Sequence, residues 1–214
     1  MPPADEETSG PDYIVLYEAP PPFTNWSVRA RVTPAGQVGN ENWLARLPDG
    51  RLLLVFRDWS GAPHHQLAVV ASTTDGRTWS APTWMKGAPG SVDPHAVEPK
   101  LFVLPNGMLV LSSGRAGIYL WALPLSSLQP GKEGDAEWQS FNVLAHHNEH
   151  SPFKYPELCV NGTACNSVST CYTSLSVVGS DTVVLGYDMV AAGWDVPPAG
   201  KFDRLFSVRV TVPV

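Results

Sequence analysis

Three stretches of this chain repeat one pattern: ENWLARLPDGRLLLVFR (41–57), EPKLFVLPNGMLVLSSGR (98–115) and YTSLSVVGSDTVVLGYD (172–188). In each, a strand-like run enters a turn containing Gly and Asp or Asn, and an apolar run leaves it. Asp49-Gly50 and Asn106-Gly107 supply the positive φ that a tight hairpin needs. The outgoing runs RLLLVF, MLVLSS and TVVLGY barely alternate, which predicts strands covered on both faces. More strand-like sequence follows each hairpin. After the first come HQLAVVAS and the stretch ending at Trp79; after the second, GIYLWAL and EWQSFNVL; after the third, RLFSVRVTV. Roughly four strands per unit, repeated along the chain, is the arrangement of propeller blades.

Composition points the same way. Charged residues make up 16% of the 214, against about a quarter in an average domain. The 18 Gly, 21 Pro and 8 Trp suit short strands and tight loops, and no convincing amphipathic helix is visible. The expected fold is all-β, an incomplete propeller of about three to four four-stranded blades, with YIVLY and WSVRARV as further strands near the start. Residues 12–214 are read as one partial domain and 1–11 as a disordered polar leader. That leader lacks the basic start and apolar core of a signal peptide. No apolar run approaches the roughly 20 residues of a membrane span, and a net charge of −6 offers no footprint for nucleic acid.

The repeat also locates candidate chemistry. Glu41, Glu98 and Tyr172 each stand six residues before the aligned Leu47, Leu104 and Val178. In a propeller the first strand of every blade lines the central channel, so equivalent positions converge there. Arg57 and Arg115 close the second strands of their blades, and Asp188 lies near the same place in the third. Two acids, a tyrosine and two arginines are thereby expected around one mouth.

The stretch STTDGRTW (72–79) resembles the Asp-box of the sialidase (neuraminidase) superfamily, Ser-x-Asp-x-Gly-x-Thr-Trp. Ser72, Gly76, Thr78 and Trp79 match in spacing; Thr74 takes the Asp position and Asp75 follows it. In that family the box is a turn between the third and fourth strands of a blade, away from the chemistry. The resemblance runs over roughly 40–190. VEPKLFVLPNGMLVLSSGR looks like the segment in which a glutamate precedes an arginine that binds substrate, and CYTSLSVVGSDTVVLGYD looks like the one that opens on the nucleophilic tyrosine. The resemblance implies a six-bladed fold in which Tyr172 is the nucleophile, Glu98 its base and Arg115 a clamp for the substrate carboxylate. Arg57, Glu41 and Asp188 join as substrate-binding residues, with no cofactor and no metal.

The implied activity is exo-sialidase-like: retaining hydrolysis of terminal sialic acid or a related acidic sugar, on a glycan partner. The family's early aspartate acid and first arginine have no counterpart before residue 40, and residues 116–171 hold no arginine. On that ground a non-catalytic propeller that binds glycan or protein is the rival reading. The length suggests a C-terminal piece of a longer product, whose open blade edges invite self-association.

Cys159, Cys165 and Cys171 lie in CVNGTACNSVSTC, where a spacing of six allows one local disulfide and leaves one thiol over. In AHHNEH, His146, His147 and His150 are read as part of a polar loop rather than metal ligands. The sequons NWS and NGT leave the compartment undecided.

Overall fold

The computed structural model describes residues 13–36, 39–58, 66–73, 75–95, 97–115, 117–161, 165, 167–193 and 195–214. The expected leader, 1–11, lies outside them. The described chain is all-β apart from two short α-helices and two 3-10 turns. Strands β1 (Val15–Glu18) and β2 (Ser27–Arg31) form a two-stranded antiparallel sheet. A four-stranded meander follows: β3 (Gly39–Arg46), β4 (Leu52–Asp58), β5 (Leu67–Ala71) and β6 (Thr83–Trp84). After the short β7 (Lys86–Gly87), a second meander takes β8 (Val97–Val103), β9 (Met108–Gly114), β10 (Ile118–Pro124) and β11 (Glu137–Asn142), with β7 added parallel to β11. The third sheet is β12 (Ser174–Val177), β13 (Thr182–Met189) and β14 (Arg204–Thr211).

The three repeats are the three hairpins β3–β4, β8–β9 and β12–β13. Their turns close with the same bond: Leu47 N–H donates to the Arg51 carbonyl at 2.8 Å, Leu104 to Met108 at 2.7 Å, and Val178 to Thr182 at 3.0 Å. The alignment read from sequence is therefore the structural register at the turn. β8 lies beside both β3 and β12, so the first strands of the successive sheets are neighbours.

Packing explains the apolar runs. Side chains alternate faces along a strand, so β4 sends Leu53 and Val55 to one side and Leu54 and Phe56 to the other. Leu53 and Val55 meet Leu109, Leu111 and Trp121 of the second sheet. Leu54 and Phe56 meet Ile14 and Val32 around the β1–β2 sheet. The second sheet is covered likewise, with Val110 and Leu120 packed on Val183 and Leu185 of the third. Each fully buried Leu, Val or Phe contributes about 1.5–3 kcal/mol from removal of apolar area from water. β4 and β9 are buried along nearly their whole length, as expected, whereas β13 alternates between buried and half-buried positions. Its outer face meets no further sheet among the described residues, and β14 alternates with exposed residues.

Two expectations are corrected. The strand predicted over EWQSFNVL stops at Asn142, and α1 (Val143–His150) replaces the polar loop read in AHHNEH. The Asn142 side chain accepts from Ala145 N–H at 2.9 Å and caps the helix. Only Val143, Leu144 and His147 are buried, too short a stripe to register as helical periodicity. A second helix, α2 (Glu157–Val160), carries Cys159, which is disulfide-bonded to Cys165; Cys171 is the buried free thiol.

The stretch 72–80 is a turn between β5 and β6, with Thr74 outside the described residues. Ser72 bridges Trp79, the Trp79 indole donates to the Gly76 carbonyl at 2.9 Å, and Asp75 accepts from Arg77 N–H at 3.0 Å.

The second and third sheets meet at Gly114, where a Cβ would stand 2.0 Å from the Cys171 carbonyl oxygen. Backbone cannot yield as a flexible side chain does. Gly114→Ala is expected to cost about 3 kcal/mol or more by overpacking, read as a lower urea midpoint with an unchanged slope.

Candidate functional site

Glu41 interrupts β3 as a bulge. Asn40 pairs with Arg57 and Asn42 with Phe56, leaving Glu41 between them at φ 46°. β8 is irregular at the equivalent place, where Glu98 has φ 51°. Left-handed backbone at a non-glycine residue costs about 1 kcal/mol or more, and a bulge re-aims the side chain it carries. Before β12 the left-handed residue is Cys171, φ 60°, one place ahead of Tyr172. The hairpin turns align Tyr172 with the two glutamates, but the strained position slips by one in the third sheet.

Four of the six expected residues come together. The Tyr172 hydroxyl donates to Glu41 Oε1 at 3.4 Å across 131 residues of sequence. The other oxygen, Oε2, accepts from the Arg57 guanidinium at 3.0 Å. Arg57 is 6% exposed, and a buried cation of this kind needs a partner such as Glu41. The Arg115 guanidinium lies 5.7 Å over the Tyr172 ring and donates to the Thr170 carbonyl at 3.2 Å. The first sheet thus contributes Glu41 and Arg57, the end of β9 contributes Arg115, and the start of the third sheet contributes Tyr172. A phenol, a carboxylate and two guanidiniums form a set able to bind an anion and move a proton. Tyr172 is 37% exposed, so the phenol is open to solvent.

The other two are placed differently. The Glu98 carboxylate pairs with Lys100 at 2.8 Å, and that ammonium also lies 4.9 Å over the Trp43 ring. The carboxylate on the tyrosine hydroxyl is therefore that of Glu41. The reason is local: Lys100, two places along the same strand, shares the face of Glu98. Asp188 holds the segment before Tyr172 in shape. Its carboxylate accepts from the Ser169 hydroxyl at 2.6 Å, from Thr170 N–H at 3.0 Å and from the Thr170 hydroxyl.

Behind these residues lies a group that sequence reasoning missed. His147 Nδ1 meets the Tyr187 hydroxyl at 2.9 Å and Nε2 the Phe153 carbonyl at 2.7 Å. The Tyr155 hydroxyl donates to the Asp188 carbonyl. Burial pushes the His147 imidazole down and the Tyr155, Tyr187 and Cys171 groups up, which favours the neutral form of each. No spacing rule joins residues 147, 155 and 187, which meet only when α1 packs on the third sheet. A cavity of about 430 Å³ beside them is lined by Thr170, Tyr172, Ser174, Tyr187, Asp188 and Leu205, so Asp188 borders the same space as Tyr172.

Fold and site together define an all-β protein of successive antiparallel sheets with an acid–phenol–guanidinium cluster where the sheets' first hairpins meet. No family model and no curated protein matches the chain. Among solved structures it is similar to a protein of unknown function from Dyadobacter fermentans DSM 18053, at 15% identity and a TM-score of 0.55, over 87% of this chain and 42% of that one. Another is an α-L-arabinanase from Penicillium chrysogenum complexed with arabinobiose, at 13% identity and a TM-score of 0.45, over 85% of this chain and 47% of that one. The chain thus spans less than half the length of either. The Dyadobacter likeness is one of fold alone. Among the described residues no helix is long and apolar enough to cross a membrane.

Asp188→Ala is expected to lower stability by about 3 kcal/mol, because the Ser169 and Thr170 donors lose a charged acceptor. Urea unfolding measures this. Unchanged stability with lost ligand binding would instead give Asp188 the direct substrate contact expected from sequence.

Proposed function

We propose that this chain is part of a sialidase-like propeller glycosidase acting on terminal sialic acid or a related acidic sugar. The contact that carries the reading is the Tyr172 hydroxyl on Glu41, with Arg57 on the same carboxylate and Arg115 over the ring. A sugar with a carboxylate on its anomeric carbon repels an anionic nucleophile, which favours a neutral phenol. A phenol attacks poorly at neutral pH unless a base takes its proton as the bond forms. Glu41 stands where that base is needed, and the 3.4 Å separation suits a ligand-free site that tightens around substrate. Glu98, engaged by Lys100, passes that role to Glu41 and remains a polar group of the mouth.

In the proposed reaction the Tyr172 oxygen bonds to the anomeric carbon as its proton passes to Glu41. The glycosidic bond breaks, and the leaving oxygen takes a proton from solvent. Water then attacks the anomeric carbon with net retention: the Tyr172 oxygen leaves and regains the proton held by Glu41, and the attacking water releases its own proton to solvent. Tyrosine-nucleophile sialidases depart in this way from the two-carboxylate scheme of most glycosidases. Arg57 and Arg115 pair with the substrate carboxylate; five N–H donors let a guanidinium serve a structural and a substrate acceptor together. The proposal keeps 12–214 as one partial propeller, the turn at 72–80 as a degenerate Asp-box, and the edge strand β14 as a surface for self-association.

A fluorogenic sialoside tests it. Turnover is expected to vanish in Tyr172→Phe and to fall by about 100-fold or more in Glu41→Gln, the usual worth of a positioned base. Turnover that survives Tyr172→Phe removes this mechanism. Sialoside binding with no turnover in any length of the gene product would favour the non-catalytic binding module.

A further inference from the structure

Helix α1 carries His146, half-buried, and Glu149 and His150, both exposed, next to its buried residue His147. One ligand atom from each lies within 4.8 Å of the others. We propose that these three side chains form a binding site for a divalent transition metal, with zinc(II) the ion that best suits two imidazoles and a carboxylate.

Helical spacing supplies the first argument. Residues four apart stack on one face, and three apart lie beside them, so His146 and His150 face one point with Glu149 at its edge. Two histidines four apart on one helix, as His146 and His150 are, is a spacing that zinc sites use. The second argument is the orientation of the rings. His150 Nδ1 lies 2.9 Å from the His146 carbonyl oxygen. A carbonyl only accepts, so Nδ1 bears the proton and Nε2 keeps its lone pair for a metal, the outer-shell bond typical of ligating histidines. The His146 ring is held between Phe141, centroids 5.5 Å apart, and His150, 4.3 Å apart. His147 takes no part, because both of its nitrogens are engaged inside the fold.

Tetrahedral zinc holds its ligand atoms about 3.3 Å apart, so ligand atoms as far as 4.8 Å from one another close by up to about 1.5 Å. Glu149 is exposed and turns at little cost. Three protein donors leave a coordination position open. His146 and His150 border a pocket of about 190 Å³, also lined by His147, Tyr187, Phe206 and Ser207, with room for water or a small oxygen ligand to complete the shell. The site shares no residue with the Tyr172 cluster and does not depend on the proposed hydrolase activity.

Zinc chloride titrated calorimetrically into the untagged chain tests the proposal. One saturable equivalent is expected, lost in His146→Ala and in His150→Ala and weakened in Glu149→Gln. Circular dichroism of each variant is expected to match the parent, since none of the three side chains is buried. Absence of saturable uptake overturns the proposal, as does uptake that His146→Ala and His150→Ala leave unchanged.

Discussion

Strands β4, β5 and β9 carry apolar side chains on both faces, so their sheets need a neighbour on either side. That requirement orders the described structure. The first meander lies between the β1–β2 sheet and the second meander, and the second lies between the first and the third. Large side chains such as Trp121, Trp138 and Phe56 fill the seams and are shut away from water. Polar contacts reinforce the seams at the turns. Arg51, beside the first hairpin turn, reaches 2.8 Å to the buried Glu133 in the loop after β10.

Sheets stacked in this way bring their first strands side by side, which is how residues far apart in sequence come to share one place. The backbone takes on strain there: Glu41, Glu98 and Cys171 are all left-handed, and Arg115 as well, at φ 55°. Such residues persist where surrounding structure over-determines them. The Glu41–Arg57 pair and the Asp188 bonds to Ser169 and Thr170 provide that support. A buried Arg57 and an open Tyr172 phenol share the Glu41 carboxylate at this place.

Much of this was legible in the chain. The turn signals Asp49-Gly50 and Asn106-Gly107 set the hairpins, and the apolar runs announced two-sided burial. Tyr172, Glu41, Arg57 and Arg115 were all expected at one mouth and do meet. The pairing within that mouth was not legible, because it depends on which way each strained residue turns its side chain. Lys100 captures Glu98 from the same strand face, whereas Glu41 has Arg57 across the hairpin and Tyr172 beyond it. Helix α1 escaped notice because eight residues with three buried positions carry too little periodic signal. Its cap at Asn142 is visible only once the chain has turned.

The sequence by itself determined the class and the register. Alternation, turn residues and a repeated offset are local properties of covalent geometry, and they survive whatever the rest of the chain does. Tertiary structure alone decided which glutamate meets the tyrosine, that Asp188 braces a loop, and that His147 is buried while His146 is half-buried and His150 exposed. Those outcomes depend on contacts between residues up to 131 positions apart, whose energies exist only after the sheets have packed.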